Sequence, residues 1–305
     1  MRVTNNMMIN NFLLNFSKNT QRLDNLQQIL ASGKLIRYPS DDPVGTVTVM
    51  KLNKDVSSIT QYKKNVDDAD SWLNLTDTAI KNVNDVLARV RELLVEGSNS
   101  PTETKDIVSE INQLKKQLVN VGNTRDSDRY IFGGTKTTTE AYTLDEGNGP
   151  NGGVTYNGSN SESDGPWEIK FNVGADDQVT INVTGDKIFG DTKSGDNIFK
   201  LFDDIAASLE DGSVEKVSSY IEDLDKHIAN ILAVRADTGA RSNRVELTKN
   251  RLADDKINFT NLLANAGDAD IAKTIMDISN AVNVYTSSLN VGARIIQPSL
   301  VDFLL

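Results

Sequence analysis

The stretch LNKDVSSITQYKKNVDDADSWLNLTDTAIKNVNDVLARVRELL, residues 52–94, decides how the chain folds. Counting in sevens from its first residue gives Leu52, Ile59, Val66, Leu73, Ile80, Leu87 and Leu94, with no polar side chain among them. Three residues after each of the first six stand Asp55, Tyr62, Ala69, Thr76, Val83 and Val90, a series that only Asp55 clearly breaks, beside Val56. An apolar seam repeating about every 3.5 residues keeps facing one partner, so the spacing predicts a long helix in a coiled-coil-like bundle. Neither Gly nor Pro occurs between Lys51 and Glu96. One seam cannot offset the ordering entropy of so long a helix, and other long helices must pack along it.

A second sevenfold series supplies the expected partner: Val217, Leu224, Ile231, Thr238, Val245, Leu252, Phe259 and Ala266. Ile221 and Ile228 support it early, whereas Arg235, Ser242, Lys249 and Lys256 weaken its companion positions later. Gly267 ends this helix, and Asp268 or Asp270 caps a last one carrying Ile271, Ile275, Ile278, Val282, Tyr285, Leu289 and Ile296, with Gly292 as the gap in the 4-3 spacing and Pro298 beyond. At the other end, Phe12, Phe16, Leu23, Leu26 and Leu30 make a narrow stripe on a polar helix over Val3–Leu30, closed by Gly33. Asp42-Pro43 reads as N-cap and first residue of the long helix, and Gly97 as its end. Ser100-Pro101-Thr102-Glu103 reads as a capping box that starts an antiparallel return helix over Ile107, Ile111, Leu114, Leu118 and Val121.

The centre changes character. Of 20 glycines, 12 lie between Gly133 and Gly195, and Glu140–Asp196 carries −8 of the chain's −11 net charge. Trp167, Ile169, Phe171 and Val173, then Val179, Ile181 and Val183, alternate by twos and predict a hairpin, to which Tyr130-Ile131-Phe132 or Val154-Thr155-Tyr156 adds strands. Helical spacing returns at Ile198, Leu201, Phe202, Ile205 and Leu209. The expected fold is mainly α with an inserted β-rich domain, an elongated bundle of long antiparallel helices with the N- and C-terminal helices paired. Its expected domains are 1–41 with 268–305, 42–132 with 197–267, and the insert 133–196.

Composition excludes several functions. An acidic chain of 305 residues has no electrostatic footprint for nucleic acid, and without Cys it has neither disulfide nor thiol chemistry. No apolar run suits membrane insertion, and the first thirty residues lack a signal peptide's basic end and apolar run, which by itself implies a cytoplasmic protein. The single histidine, His227, reads as a surface residue flanking the seam; Asp67, Asp68 and Asp70 read as a solvated helix face. After Gly190–Gly195, Asp196-Asn197 stand where a phosphate loop requires Lys-Ser or Lys-Thr, and Asp145–Gly149 lacks the spacing of a calcium loop. No catalytic, cofactor or metal site is nominated.

Two motifs carry a resemblance. Leu30-Ala31-Ser32-Gly33-Lys34 with Ser40-Asp41-Asp42-Pro43-Val44-Gly45, and Asp268-Ala269-Asp270-Ile271-Ala272, resemble the two ends of bacterial flagellins. Met1-Arg2-Val3-Thr4, Arg129–Thr137, Gly185–Phe189 and Ala293–Pro298 with Leu300–Leu305 are similar to the branch of that family at the junction of hook and filament. The resemblance implies a structural adaptor exported by the flagellar type III apparatus without a cleaved signal peptide, which replaces the cytoplasmic expectation. It also implies neighbours: the first hook-associated protein, flagellin, copies of the chain in a ring, and an export chaperone on the C-terminal helix. The terminal stripes would then be the assembly interface and the two sevenfold series the bundle seam. A flagellin that polymerises by itself and, from another class, a secreted adhesin using the acidic centre stay open as alternatives.

Overall fold

In the computed structural model, residues 5–99, 104–144, 153–159, 167–191, 196–211 and 217–296 are described. The sevenfold stretch lies inside one uninterrupted helix, α2 (Pro43–Asn99), which follows α1 (Asn5–Ser32). Asp42 caps α2: its Oδ1 accepts the Val44 and Gly45 amides at 3.1 and 3.0 Å. Gly97 does not end the helix. It is buried within the last turns, where a Cβ would meet Leu209 Cδ2 at 3.1 Å, so its role is close packing. The capping box at residues 100–103 and the segment 297–305 lie outside the described residues.

Helix α3 (Thr104–Gly122) returns antiparallel to α2, as Gly97 facing Ile107 and Arg89 bonding Glu110 at 2.7 Å require. Among the described residues four two-stranded antiparallel sheets follow. They are β1 (Arg125–Asp126) with β2 (Arg129–Tyr130), β3 (Tyr142–Leu144) with β4 (Val154–Tyr156), β5 (Lys170–Asn172) with β6 (Gln178–Thr180), and β7 (Gly190–Asp191) with β8 (Asp196–Asn197). Between β6 and β7 sits α4 (Gly185–Phe189); after β8 come α5 (Ile198–Glu210), α6 (Val217–Gly267) and α7 (Ile271–Ile296). The expected hairpin is β5–β6, with Phe171 opposite Val179. Tyr130 and Val154–Tyr156 do not extend it. They pair with β1 and β3 instead, because helices rather than a wider sheet cover the apolar faces here.

Contacts divide the chain into two compact units, residues 1–58 with 256–305 and residues 59–255. This differs from the three expected segments. The insert shares a core with α3 and α5 and cannot be separated from the central unit. At its middle is Tyr142, fully buried and ringed by Tyr156, Phe189 and Phe199 at centroid distances of 5.0, 5.0 and 5.3 Å. Asn123, just beyond α3, clamps the Tyr142 backbone on both sides: its Nδ2 donates to the carbonyl at 2.6 Å and its Oδ1 accepts the amide at 2.8 Å. Burial pushes the Tyr142 and Tyr156 phenols well above their ordinary range, so both are neutral donors. The Tyr156 hydroxyl donates to the Phe132 carbonyl at 2.8 Å, whereas the Tyr142 hydroxyl has no partner among the described residues.

In the central unit α6 runs antiparallel to α2, and two of the residues that weaken its seam, Arg235 and Lys249, are cross-links to α2. Arg235 donates to Asp77 at 2.8 and 3.2 Å, Lys249 reaches Asp67 at 3.0 and Asp70 at 3.3 Å, and Arg91 bonds Asp225 at 2.9 Å. Hydrogen bonds to these carboxylates raise the pKa of each cation. Asp67 and Asp70 are therefore bridging groups, and only Asp68 of the three points to solvent unpartnered in the ion-pair network. His227 is half-buried rather than on the surface, and burial lowers its pKa.

The close approach of Tyr142 to Gly185, where a Cβ would overlap the phenol oxygen and stand 2.8 Å from Tyr156, yields a test. Gly185→Ala should lower stability in urea denaturation by about 1–3 kcal/mol, the usual cost of overpacking. Tyr142→Phe alone should stay within about 1 kcal/mol of the parent, because the hydroxyl it removes is unpaired. Combined, Tyr142→Phe should recover part of the Gly185→Ala loss. Strict additivity of the two would show that the clash is relieved elsewhere.

Candidate assembly interface

No groups of His, Cys, Asp or Glu among the described residues are arranged to hold a metal ion, and no described helix is long and apolar enough to cross a membrane. What stands out is how apolar surface is divided. In the unit 59–255 the seam positions Ile59, Val66, Leu73, Ile80, Leu87 and Leu94 are buried, as are Leu224, Ile231, Val245 and Leu252. In the unit formed by 1–58 and 256–305, no described apolar side chain reaches that burial. Leu52 and Phe259, at the ends of the two series, are only half-buried there. The side chains of Val217 and Ile296 lie outside the described set.

Within the terminal unit α1 and α7 pack antiparallel. Phe16 stacks on Tyr285 at 5.3 Å and on Phe12 at 5.9 Å. Gly292, the gap in the stripe, is the slot for the Phe12 ring: it is buried, and any Cβ there would overlap the ring. The turn between α1 and α2 is tied to the one between α6 and α7. Gly33 ends α1 in the left-handed region at φ +67°, Lys34 bridges to Asp268 in the backbone, and Lys34 Nζ meets Asp268 Oδ1 at 2.5 Å. Asp268 is thus a tether, and Asp270 is the cap, accepting the Lys273 amide at 3.1 Å.

The helix pair leaves most of its apolar surface open. Phe12, Phe16, Leu23, Leu26, Ile278 and Tyr285 are half-buried, whereas Leu30, Ile271, Ile275, Val282 and Leu289 are exposed. Further exposed apolar side chains were missed by the spacing argument: Met7, Leu13, Leu14, Val44, Val47 and Met276 among them. They stand beside the main stripe rather than on it, so a single-face periodicity passes over them. An apolar shell this extensive around a two-helix pair is more than soluble monomers usually leave uncovered.

Comparison with known proteins bears on this geometry. Residues 3–137 match the family model of the bacterial flagellin N-terminal helical region. The chain is 27% identical over 272 residues to flagellar hook-associated protein 3 of Escherichia coli K12, covering 81% of each. It is 25% identical over 298 residues to flagellin of Bacillus subtilis 168, covering 92% of this chain and 91% of that one. Its fold is similar to the solved structure of flagellar hook-associated protein 3 from Legionella pneumophila, with a TM-score of 0.60, 18% identity, and coverage of 71% of this chain and all but 2% of the other, 98%.

The uneven burial predicts uneven stability. In dilute solution, amides of residues 5–32 and 271–296 should exchange with solvent at least about 100-fold faster than those around Leu73 to Leu94, because local opening exposes little further apolar surface. Equal protection of the two regions, measured by hydrogen exchange on the monomer, would mean that the terminal helices are stable without partners.

Proposed function

We propose that the chain, whose residues 3–137 match the model of the bacterial flagellin N-terminal helical region, is a flagellin-family structural subunit that joins the flagellar hook to the filament, acting by helical packing without a catalytic step. The supporting observation is the contrast between a central unit with its own apolar core and a terminal helix pair without one. A subunit built this way is completed by neighbours. Ordering the α1–α7 pair is coupled to association, so stability of the terminal unit rises with subunit packing.

On this reading the stripes on α1 and α7 are the assembly interface, and the seam shared by α2 and α6 is the strut that carries the central domain. The neighbours are the first hook-associated protein on one side and flagellin on the other, with copies of the chain completing a ring. Export takes the type III route without a cleaved signal, and a chaperone holds the C-terminal helix until assembly. A second reading, a flagellin that forms filaments by itself, is favoured by the long alignment to Bacillus flagellin. Localisation separates the two: label confined to a band between hook and filament supports the junction, and label along the filament supports the alternative.

Leu289→Asp tests the interface. The side chain is exposed in the monomer, so its thermal unfolding should shift little, within about 0.5 kcal/mol. Incorporation at the junction should be lost, because an unpaired carboxylate would be buried between subunits. Normal filaments on the variant would remove α7 from the interface.

A further inference from the structure

The terminal unit carries a knob and a hole at opposite ends of the same helix pair. The knob is Tyr38, on the turn between α1 and α2, with 54% of its surface exposed. It is the one aromatic among the exposed large apolar side chains of the described residues. Its turn is firmly held. The Tyr38 amide donates to Asp41 Oδ2 at 3.0 Å, its carbonyl accepts the Asp41 amide at 3.0 Å, and the Leu35 amide donates to the Gly267 carbonyl at 2.8 Å. The Arg37 guanidinium lies over the ring, 4.4 Å from its centroid. A fixed, amphipathic aromatic ring loses little entropy on docking and is the usual anchor of an interface.

The hole is an open groove of about 390 Å³ between α1 and α7, lined by Phe12, Asn283, Val284, Ser287, Ser288 and Val291. Phe12, Val284 and Val291 form its apolar surface, and Asn283, Ser287 and Ser288 supply donors and acceptors for a phenol hydroxyl. Tyr38 cannot reach the groove of its own chain. It sits beyond the α7 start, and about 26 Å of helix separates Ile271 from Ser288 at roughly 1.5 Å per residue.

We propose that Tyr38 of one copy seats in the Phe12–Val284–Val291 groove of a second copy, fixing the offset between neighbouring subunits along their terminal helices. The proposal rests on the assembly reading above and names the contact within it. Each chain carries both halves of the contact, and the groove's apolar surface and polar edge match the ring and the hydroxyl of Tyr38. Such a contact is heterologous and passes from copy to copy, as a ring or helical array requires, whereas a self-complementary patch would stop at a dimer.

The chain has no cysteine, so introduced thiols report alone. Flagella are assembled under reducing conditions from a tagged Tyr38→Cys/Ser288→Cys chain and then oxidised. The expected result is a ladder of disulfide-linked dimers, trimers and higher species, with no ladder from either single variant, since bridging needs Cα atoms within about 7 Å. Leu35→Cys/Val284→Cys provides the same readout should the first pair impair assembly. The proposal is overturned if both pairs stay monomeric while the tag still marks a band at the junction, a result that leaves the junction reading standing. It is overturned equally if Tyr38→Cys alone gives dimers, or if Phe303→Cys, in place of Tyr38→Cys, links to Ser288→Cys. A tag along the whole filament together with the ladder would keep the contact and reject the junction reading.

Discussion

The burial of one apolar seam between α2 and α6 is the constraint on which the rest of the central unit depends. Six consecutive heptad positions from Ile59 to Leu94 are nearly or fully excluded from solvent, as are Leu224, Ile231, Val245 and Leu252 on the helix that ion pairs hold alongside. Continuous helix over so many turns is supported because every second turn returns an apolar side chain to the same face. α3 and α5 then cover the neighbouring face of α2, and Lys115 spans them with its ammonium 2.5 Å from Asp203. The short strands need this platform. None of the two-stranded ribbons has enough apolar surface to stand alone, and the β5–β6 ribbon is tied to the helices by Asn65, Arg241 and Arg244 through bonds to Asn172, Thr180, Asn182 and Asp177.

The terminal unit follows the opposite rule. Its helices have helical sequence and one stripe each, but a pair of helices buries only the side chains along their line of contact. Phe12 in the Gly292 slot and Phe16 on Tyr285 mark that line, and everything a quarter-turn away is left exposed. On the assembly reading proposed above, ends that become fully ordered only against other subunits would suit a chain that is exported before it is built in. The same narrow line of contact that limits burial within the pair leaves apolar area free for any partner that packs against it.

Much of this was legible in residue spacing. A period of seven is local information, so the two long helices, the terminal stripes, the Asp42 cap and the β5–β6 pairing could be read from order alone. Features that depend on a distant partner could not. Arg235 and Lys249 look like defects in a seam until Asp77, Asp67 and Asp70 are placed opposite them. Gly97 looks like a helix end until Leu209 is found against it, and Gly292 looks like a missing apolar residue until Phe12 fills the space. Strands two or three residues long carry too few alternations to announce their partners, which is why β1–β2 and β3–β4 went unread. Val44 and Val47, the most exposed apolar residues of the first turns of α2, fall outside any stripe and become visible only as surface.

Those apparent defects have a further consequence for the long helix pair. A seam of apolar residues repeating by sevens fits its partner almost as well after a slip of one heptad, so apolar burial alone leaves the register of α2 against α6 poorly specified. The polar cross-links remove the degeneracy. Sliding α6 by seven residues would put Ser242 where Arg235 faces Asp77 and Leu232 where Asp225 faces Arg91, leaving both α2 charges without partners. Lys256 would replace Lys249 beside Asp67 and Asp70, so that link tolerates the slip and the discrimination rests on the other two. Exposed ion pairs of this kind add little to stability, but a wrong register forfeits them together and also brings Leu232 onto a charged line. The charges on α2 and α6 therefore act chiefly to select one alignment of two helices whose apolar seams would accept several.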